Sequence, residues 1–118
     1  FVGQVENPQI YYQLSDVMIV PSIFEGLSLA TIESQIAGVP VVVSDAIPEE
    51  AIISNGVKRL SLSDNNWVDE IIKMADEHVV LNEKSKEYNI DYASKRLECW
   101  YINKFYDSIL HKNEGDIV

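Results

Sequence analysis

Two glutamates eight residues apart, Glu25 and Glu33, are the side chains whose type and spacing best fit work on a ligand. An ionised carboxylate only accepts hydrogen bonds, so each suits a hydroxyl-bearing partner. Between them stand Gly26, Leu27, Ser28 and Leu29, where the pattern predicts a helix start. The first amides of a helix lack intrahelical acceptors and carry the positive end of the helix dipole, so they attract phosphate oxygens without any lysine. Gly26 permits close backbone approach to such a group. Glu33 lies at least a turn further along the same element, given a rise of ~1.5 Å per residue. Two carboxylates with amides between them suit a molecule with hydroxyls at both ends and a diphosphate in the middle. Each feature alone also has an ordinary structural reading, because the helix dipole favours Glu near a helix start and a mid-helix Glu is commonly just solvated.

These residues need a scaffold, and the flanking pattern predicts one. Asn7 can cap a short helix with Pro8 at its first position, continuing through Ile10, Tyr11 and Leu14. The apolar run Val17-Met18-Ile19-Val20, closed by Pro21, reads as a strand buried on both faces. A helix is expected over 27–37, ended by Gly38 with Pro40 blocking its continuation, and then a second buried strand, Val41-Val42-Val43. Strand, helix and strand with short connections make the βαβ unit of a parallel sheet covered by helices. In such sheets ligands bind beyond the carboxyl ends of the strands, which puts the loop over 21–26 in the right place.

Downstream, a short helix over 48–53, a turn at Asn55-Gly56 and a weaker strand over 58–62 are expected. Asp64 or Asn65 can cap a helix whose stripe Trp67, Ile71, Met74, Ala75 and His78 should face the sheet. From Glu83 to about residue 112 the pattern is helical, in two segments, the second carrying Leu97, Tyr101, Phe105 and Ile109 with Trp100 beside them. The expected class is α/β, a Rossmann-like parallel sheet with flanking helices ending in long helices, forming a single domain over 1–118.

Composition narrows the partners. The chain has 118 residues, 47% hydrophobic and 24% charged, as a folded domain requires. With 9 Lys+Arg against 19 Asp+Glu, its net charge of -10 opposes the phosphate backbone of nucleic acid, so no nucleic-acid partner is expected. The single cysteine, Cys99, excludes an internal disulfide and reads as a small core residue. No apolar run approaches the roughly 20 residues needed to cross a bilayer. A reducing cytoplasm fits best. Phe1-Val2-Gly3 reads as the end of a strand whose sheet continues upstream, and a piece of a longer protein is expected.

The stretch Ser15-Asp16-Val17-Met18-Ile19-Val20-Pro21-Ser22-Ile23-Phe24-Glu25-Gly26-Leu27-Ser28-Leu29-Ala30-Thr31-Ile32-Glu33, followed by Ala37-Gly38-Val39-Pro40-Val41-Val42-Val43-Ser44-Asp45, resembles the signature of glycosyltransferase family 4. More narrowly it is similar to bacterial capsular and exopolysaccharide enzymes, and the general resemblance runs from Phe1 to about Asp107. The family's order is an Asp, a buried strand, Pro-Ser, Glu-Gly, a second Glu eight positions after the first, Gly-x-Pro, a valine-rich strand and Ser-Asp.

The resemblance implies the donor-binding, C-terminal part of a GT-B enzyme, which transfers a sugar from a nucleotide diphosphate with retention of configuration and without a bound metal. It implies that Glu25 contacts the donor sugar and is the catalytic carboxylate, that Gly26, Leu27, Ser28 and Leu29 meet sugar and diphosphate, and that Glu33 holds the ribose hydroxyls. It also implies a saccharide or lipid-linked acceptor and work at the inner membrane face through a separate acceptor domain.

The sequence departs from the family in places. Ser34 stands where Ala is frequent, and Ala46-Ile47-Pro48 replaces a glycine pair after Ser44-Asp45, so Ser44 and Asp45 are left out of the site. The basic residues that neutralise the diphosphate in the family are expected upstream of Phe1, and this piece alone should not turn over. His78 and His111 read as ordinary helical residues, and the aromatic stripe around Trp100 as packing or, if exposed, as a self-association surface. The rival reading is a non-catalytic α/β binding or assembly module. A receiver-like version of it needs an aspartate directly after the first strand, where Pro21-Ser22 stands.

Overall fold

The structure, a computed structural model, describes residues 2–113, with side chains as far as Lys104. The chain divides into two compact units, one through Ser85 and one from Lys86, where a single domain was expected from sequence.

The first unit is built on three parallel strands, β1 (Met18–Val20), β2 (Val41–Ser44) and β3 (Val57–Leu60), in the order β1-β2-β3. The register pairs Met18 with Val41 and Val20 with Val43, then Val41 with Val57 and Ser44 with Leu60. Helix α1 (Gln9–Gln13) precedes β1, α2 (Leu29–Ile36) joins β1 to β2, and α3 (Trp67–Met74) follows β3. This is the expected Rossmann-like parallel α/β arrangement.

Burial follows position in the sheet. β2 has a strand on each side and helices packed on it, and Val41, Val42, Val43 and Ser44 are fully buried. Burying one such valine is worth roughly 1.5–3 kcal/mol. Val42 clusters with Leu60 and Met74, with Val17, Trp67 and Ile71 against them, so the α3 stripe does face the sheet. Val41 and Val43 point the other way, toward the side that α2 can cover.

Burial on both faces, expected for the first strand as well, holds only for β2. β1 pairs with β2 alone among the described residues, and Ile19 is 45% exposed. A run of apolar residues reports strand character, but it cannot say whether the strand is central or at an edge.

Two glycines answer to geometry. Gly38 adopts φ +80° just after α2, the left-handed conformation that ends helices. Gly56 faces Val79 so closely that a Cβ would sit 2.6 Å from a valine methyl. The expected short helix over 48–53 is one 3-10 turn, Glu49–Ala51. The segment after α3 is laced to the turn before β3: Asn55 Oδ1 accepts the Val80 amide at 2.7 Å, and Ile53 accepts the Asn82 amide at 2.8 Å. His78 lies beyond α3 and is exposed, outside the stripe assigned to it.

The second unit contains α4 (Ile90–Asn113). The expected two helical segments are present, as a 3-10 stretch Glu83–Tyr88 followed by α4. No described side chain of α4 is buried, and Leu97, Trp100 and Tyr101 are all more than half exposed. Cys99, expected in a core, is exposed as well. Charged residues are interspersed with apolar ones along this helix, and Lys104 lies 4.9 Å from the Trp100 ring centre. The side chains of Phe105, Ile109 and His111 fall outside the described residues. No helix among the described residues is long and apolar enough to cross a membrane.

Candidate functional site

The loop between β1 and α2 is tied to the carboxyl end of the sheet by two hydroxyls. Ser44, fully buried at the end of β2, donates to the Ser22 carbonyl at 2.6 Å. Ser22 in turn donates through Oγ to Glu25 Oε2 at 3.1 Å. Glu25 is therefore half-buried and held, whereas its neighbours Ile23 and Phe24 are 87% and 88% exposed.

The helix starts later than expected. Ser28, with ψ 90°, is the N-cap, and the first residue of α2 is Leu29, not Leu27. Ser28 is buried, and its hydroxyl shares a 2.9 Å hydrogen bond with Thr31 Oγ1 instead of capping an amide. The first return bond runs from the Ile32 amide to the Ser28 carbonyl. Helix geometry thus shifts the free amides to Leu29, Ala30 and Thr31, two to three residues beyond the expected set. Leu27 and Leu29 present exposed side chains, and Ser28 has only its backbone to offer a ligand. At Gly26 an added Cβ would meet nothing within 4 Å and φ is not positive, so neither packing nor conformation demands glycine there.

Helix α2 has two different faces. Its inner face is Thr31, Ile32, Ser34 and Gln35, mostly polar yet buried. Small hydroxyl residues allow close helix-to-sheet approach, and each polar group is satisfied: Ser34 donates to the Val39 carbonyl at 3.3 Å, and no buried side-chain polar atom lacks a partner among the described residues. Gln35 alone makes four bonds, donating to the carbonyls of Thr31 and Ala51 and accepting from the Ile53 amide and Ser54 Oγ.

The outer face is Leu29, Glu33, Ile36 and Ala37, all exposed. Leu29 and Glu33 stand in i,i+4 relation, so Glu33 lies about 6 Å along the axis from the helix start on the same stripe. Glu33 Oε2 accepts a hydrogen bond from the Tyr12 hydroxyl of α1 at 2.9 Å. Burial of Tyr12, reinforced by this bond and by the negative charge of Glu33, raises the phenol pKa above the ordinary tyrosine value. Tyr12 accordingly keeps its proton at neutral pH and remains a donor. A cavity of about 360 Å³ opens here, lined by Pro8, Gln9, Tyr12, Gln13, Glu33, Ile36 and Ala37.

Neither carboxylate is sealed in the interior, and neither is ion-paired among the described residues. Of the six residues expected to bind donor, only Glu33 lines this cavity; Glu25, Gly26, Leu27, Ser28 and Leu29 form the loop and helix start beside it in sequence. Tyr12 and Ser22 were missed as functional candidates, and Ser44 was weighed and left out. Ser44 carried a usable signal, because a serine ending a fully apolar buried strand needs a partner. Nothing local to Tyr12 announced a residue 21 positions away.

Comparison with known proteins agrees with the motif. Residues 1–77 match the family model described as "Glycosyl transferases group 1". The Bacillus subtilis (strain 168) protein EpsF, whose name carries a provisional glycosyltransferase assignment, is 36% identical over 78 residues, covering 64% of this chain and 20% of that protein. A 41.2 kDa protein from the cps region of Klebsiella pneumoniae is 28% identical over 100 residues, 81% of this chain and 27% of its own length. An otherwise uncharacterised Haemophilus influenzae glycosyltransferase is 26% identical over 108 residues, 85% of this chain and 31% of its own. The chain thus spans between a fifth and a third of the length of these relatives. No solved structure matches.

Proposed function

The chain belongs to the group 1 glycosyl transferases, and on that premise we propose that it supplies the donor site of a retaining sugar transferase acting on a nucleotide diphosphate sugar. The observation that carries this reading is the α2 start: a half-buried glutamate anchored at the carboxyl end of the sheet, free helix amides after it, and a second glutamate one turn on along the exposed stripe. In this reading Glu25 orients the donor sugar's hydroxyls, the backbone from Gly26 to Leu29 and the following amides receive the diphosphate, and Glu33 holds the ribose hydroxyls.

The chemistry follows from charge. As the bond to the diphosphate breaks, positive charge develops at the anomeric carbon and negative charge on the departing phosphate oxygen. A carboxylate near the first and helix amides near the second favour both, with no metal invoked. The acceptor hydroxyl attacks from the face the diphosphate leaves, and its proton passes to the leaving phosphate oxygen, which retains the anomeric configuration. Glu25 is not assigned as a covalent nucleophile. A pair acting across one bond, as in retaining glycosidases, stands about 5 Å apart, whereas these two belong to successive parts of the donor.

The acceptor is proposed to be a saccharide or lipid-linked saccharide of an envelope polysaccharide, met in the cytoplasm at the inner membrane face. That setting rests on the family resemblance and on relatives bearing glycosyltransferase and cps-region names.

The test uses the full-length protein. Glu25→Ala should lower kcat/KM for sugar transfer by about 100-fold or more with an unchanged circular dichroism spectrum, and NMR of the wild-type product should show the donor's own anomeric configuration. Undiminished transfer by the variant would remove Glu25 from the mechanism, and an inverted product would remove retention. Failure of wild-type protein to prefer any nucleotide sugar over free phosphate would favour a non-catalytic module.

A further inference from the structure

We propose that Tyr12 is a positioning residue for Glu33, holding its carboxylate ready for the paired hydroxyls of a nucleotide ribose; this rests on the donor-site reading above. An exposed glutamate has three rotatable side-chain bonds, and fixing them at the moment of binding costs affinity. Glu33 is exposed, yet its Oε2 already accepts the Tyr12 hydroxyl at 2.9 Å. The donor comes from a different helix, so the bond fixes the carboxylate relative to α1 as well as to its own backbone. Tyr12 can hold it because its ring is half-buried.

The bond also leaves acceptor capacity. A carboxylate has about four lone-pair sites, and Tyr12 uses one of them. Oε1 and the second site of Oε2 remain, side by side, for two neighbouring hydroxyls. The cavity lined by Tyr12 and Glu33, with Gln9 and Gln13 on one side and Ile36 and Ala37 on another, offers about 360 Å³ next to that edge. A cis-diol is the group that uses two adjacent acceptors at once, so the arrangement selects a ribose over a deoxyribose.

The experiment titrates UDP, GDP and ADP, and the 2′- and 3′-deoxy forms of whichever binds most tightly, into full-length wild-type, Tyr12→Phe, Glu33→Gln and double-variant protein by calorimetry. Phenylalanine keeps the ring and its packing and removes only the hydroxyl. Tyr12→Phe should weaken the ribonucleotide three- to tenfold and leave the deoxy forms within twofold, so that discrimination shrinks. In the Glu33→Gln background the same change should have no further effect, because the two residues act as one unit. If Tyr12→Phe weakens ribo and deoxy forms equally, or lowers only the melting temperature, Tyr12 merely ties two helices together and the proposal is wrong. If Glu33→Gln abolishes discrimination but Tyr12→Phe does not, Tyr12 fails while the donor reading stands. If Glu33→Gln changes nothing, the ribose role of Glu33 falls and the Tyr12 role with it.

Discussion

The two carboxylates sit in opposite kinds of surroundings. Glu25 hangs from a chain of hydroxyl contacts, Ser22 and then Ser44, that ends in a strand with no exposed residue. Glu33 is steadied by a half-buried phenol on a five-residue helix with no fully buried residue. The difference matches what each is proposed to do. A group that responds to charge developing in the transition state benefits from a rigid, pre-set position. A group that grips the distal end of a ligand can tolerate a softer mount, because its contribution is to binding rather than to the chemical step. The same helix serves both, with its buried polar face fixing the scaffold and its exposed face meeting the solvent.

This contrast can be broken from the buried side first. Gln35→Ala removes four hydrogen bonds at once and leaves the Ile53 amide and the Ala51 carbonyl without a buried partner. The expected cost is about 3 kcal/mol, seen as a lower denaturant midpoint; unchanged stability would mean that this network does not hold the scaffold. Ser44→Ala should act more selectively, lowering kcat/KM about tenfold through the Glu25 loop for about 1 kcal/mol of stability. Equal loss of activity and of folded protein would reduce Ser44 to a structural contact. The Tyr12→Phe effect, three- to tenfold and confined to ribonucleotide affinity, sharpens the comparison from the exposed side. Arg96→Ala, which breaks an exposed pair with Glu87 at 3.0 Å on the second unit, sets the floor at under about 0.5 kcal/mol with no change in transfer.

Much of this organisation was legible from residue pattern. Three consecutive valines between Pro40 and Ser44 marked a short strand that the structure buries completely, and Gly38 marked the helix end that its φ of +80° now explains. The spacing of Trp67, Ile71 and Met74 located the face that α3 turns to the sheet. Other readings failed for identifiable reasons. The run Val17-Met18-Ile19-Val20 was as apolar as the valines, yet Ile19 is 45% exposed, because a strand's burial depends on neighbours that its own residues do not encode. Ser28 looked like a helix residue, but its hydroxyl pairs with Thr31 and the first turn begins after it. Cys99 looked like core and lies on an open helix.

The sequence by itself determined the order of elements, the family, and the two acidic residues that bracket a helix start, since local backbone preference and a motif of fixed spacing are properties of neighbouring residues. Only the tertiary structure decided what holds those acids in place. Ser44 reaches the Glu25 loop from 22 residues away and Tyr12 reaches Glu33 from 21, and contacts of that kind exist only once strands and helices have packed.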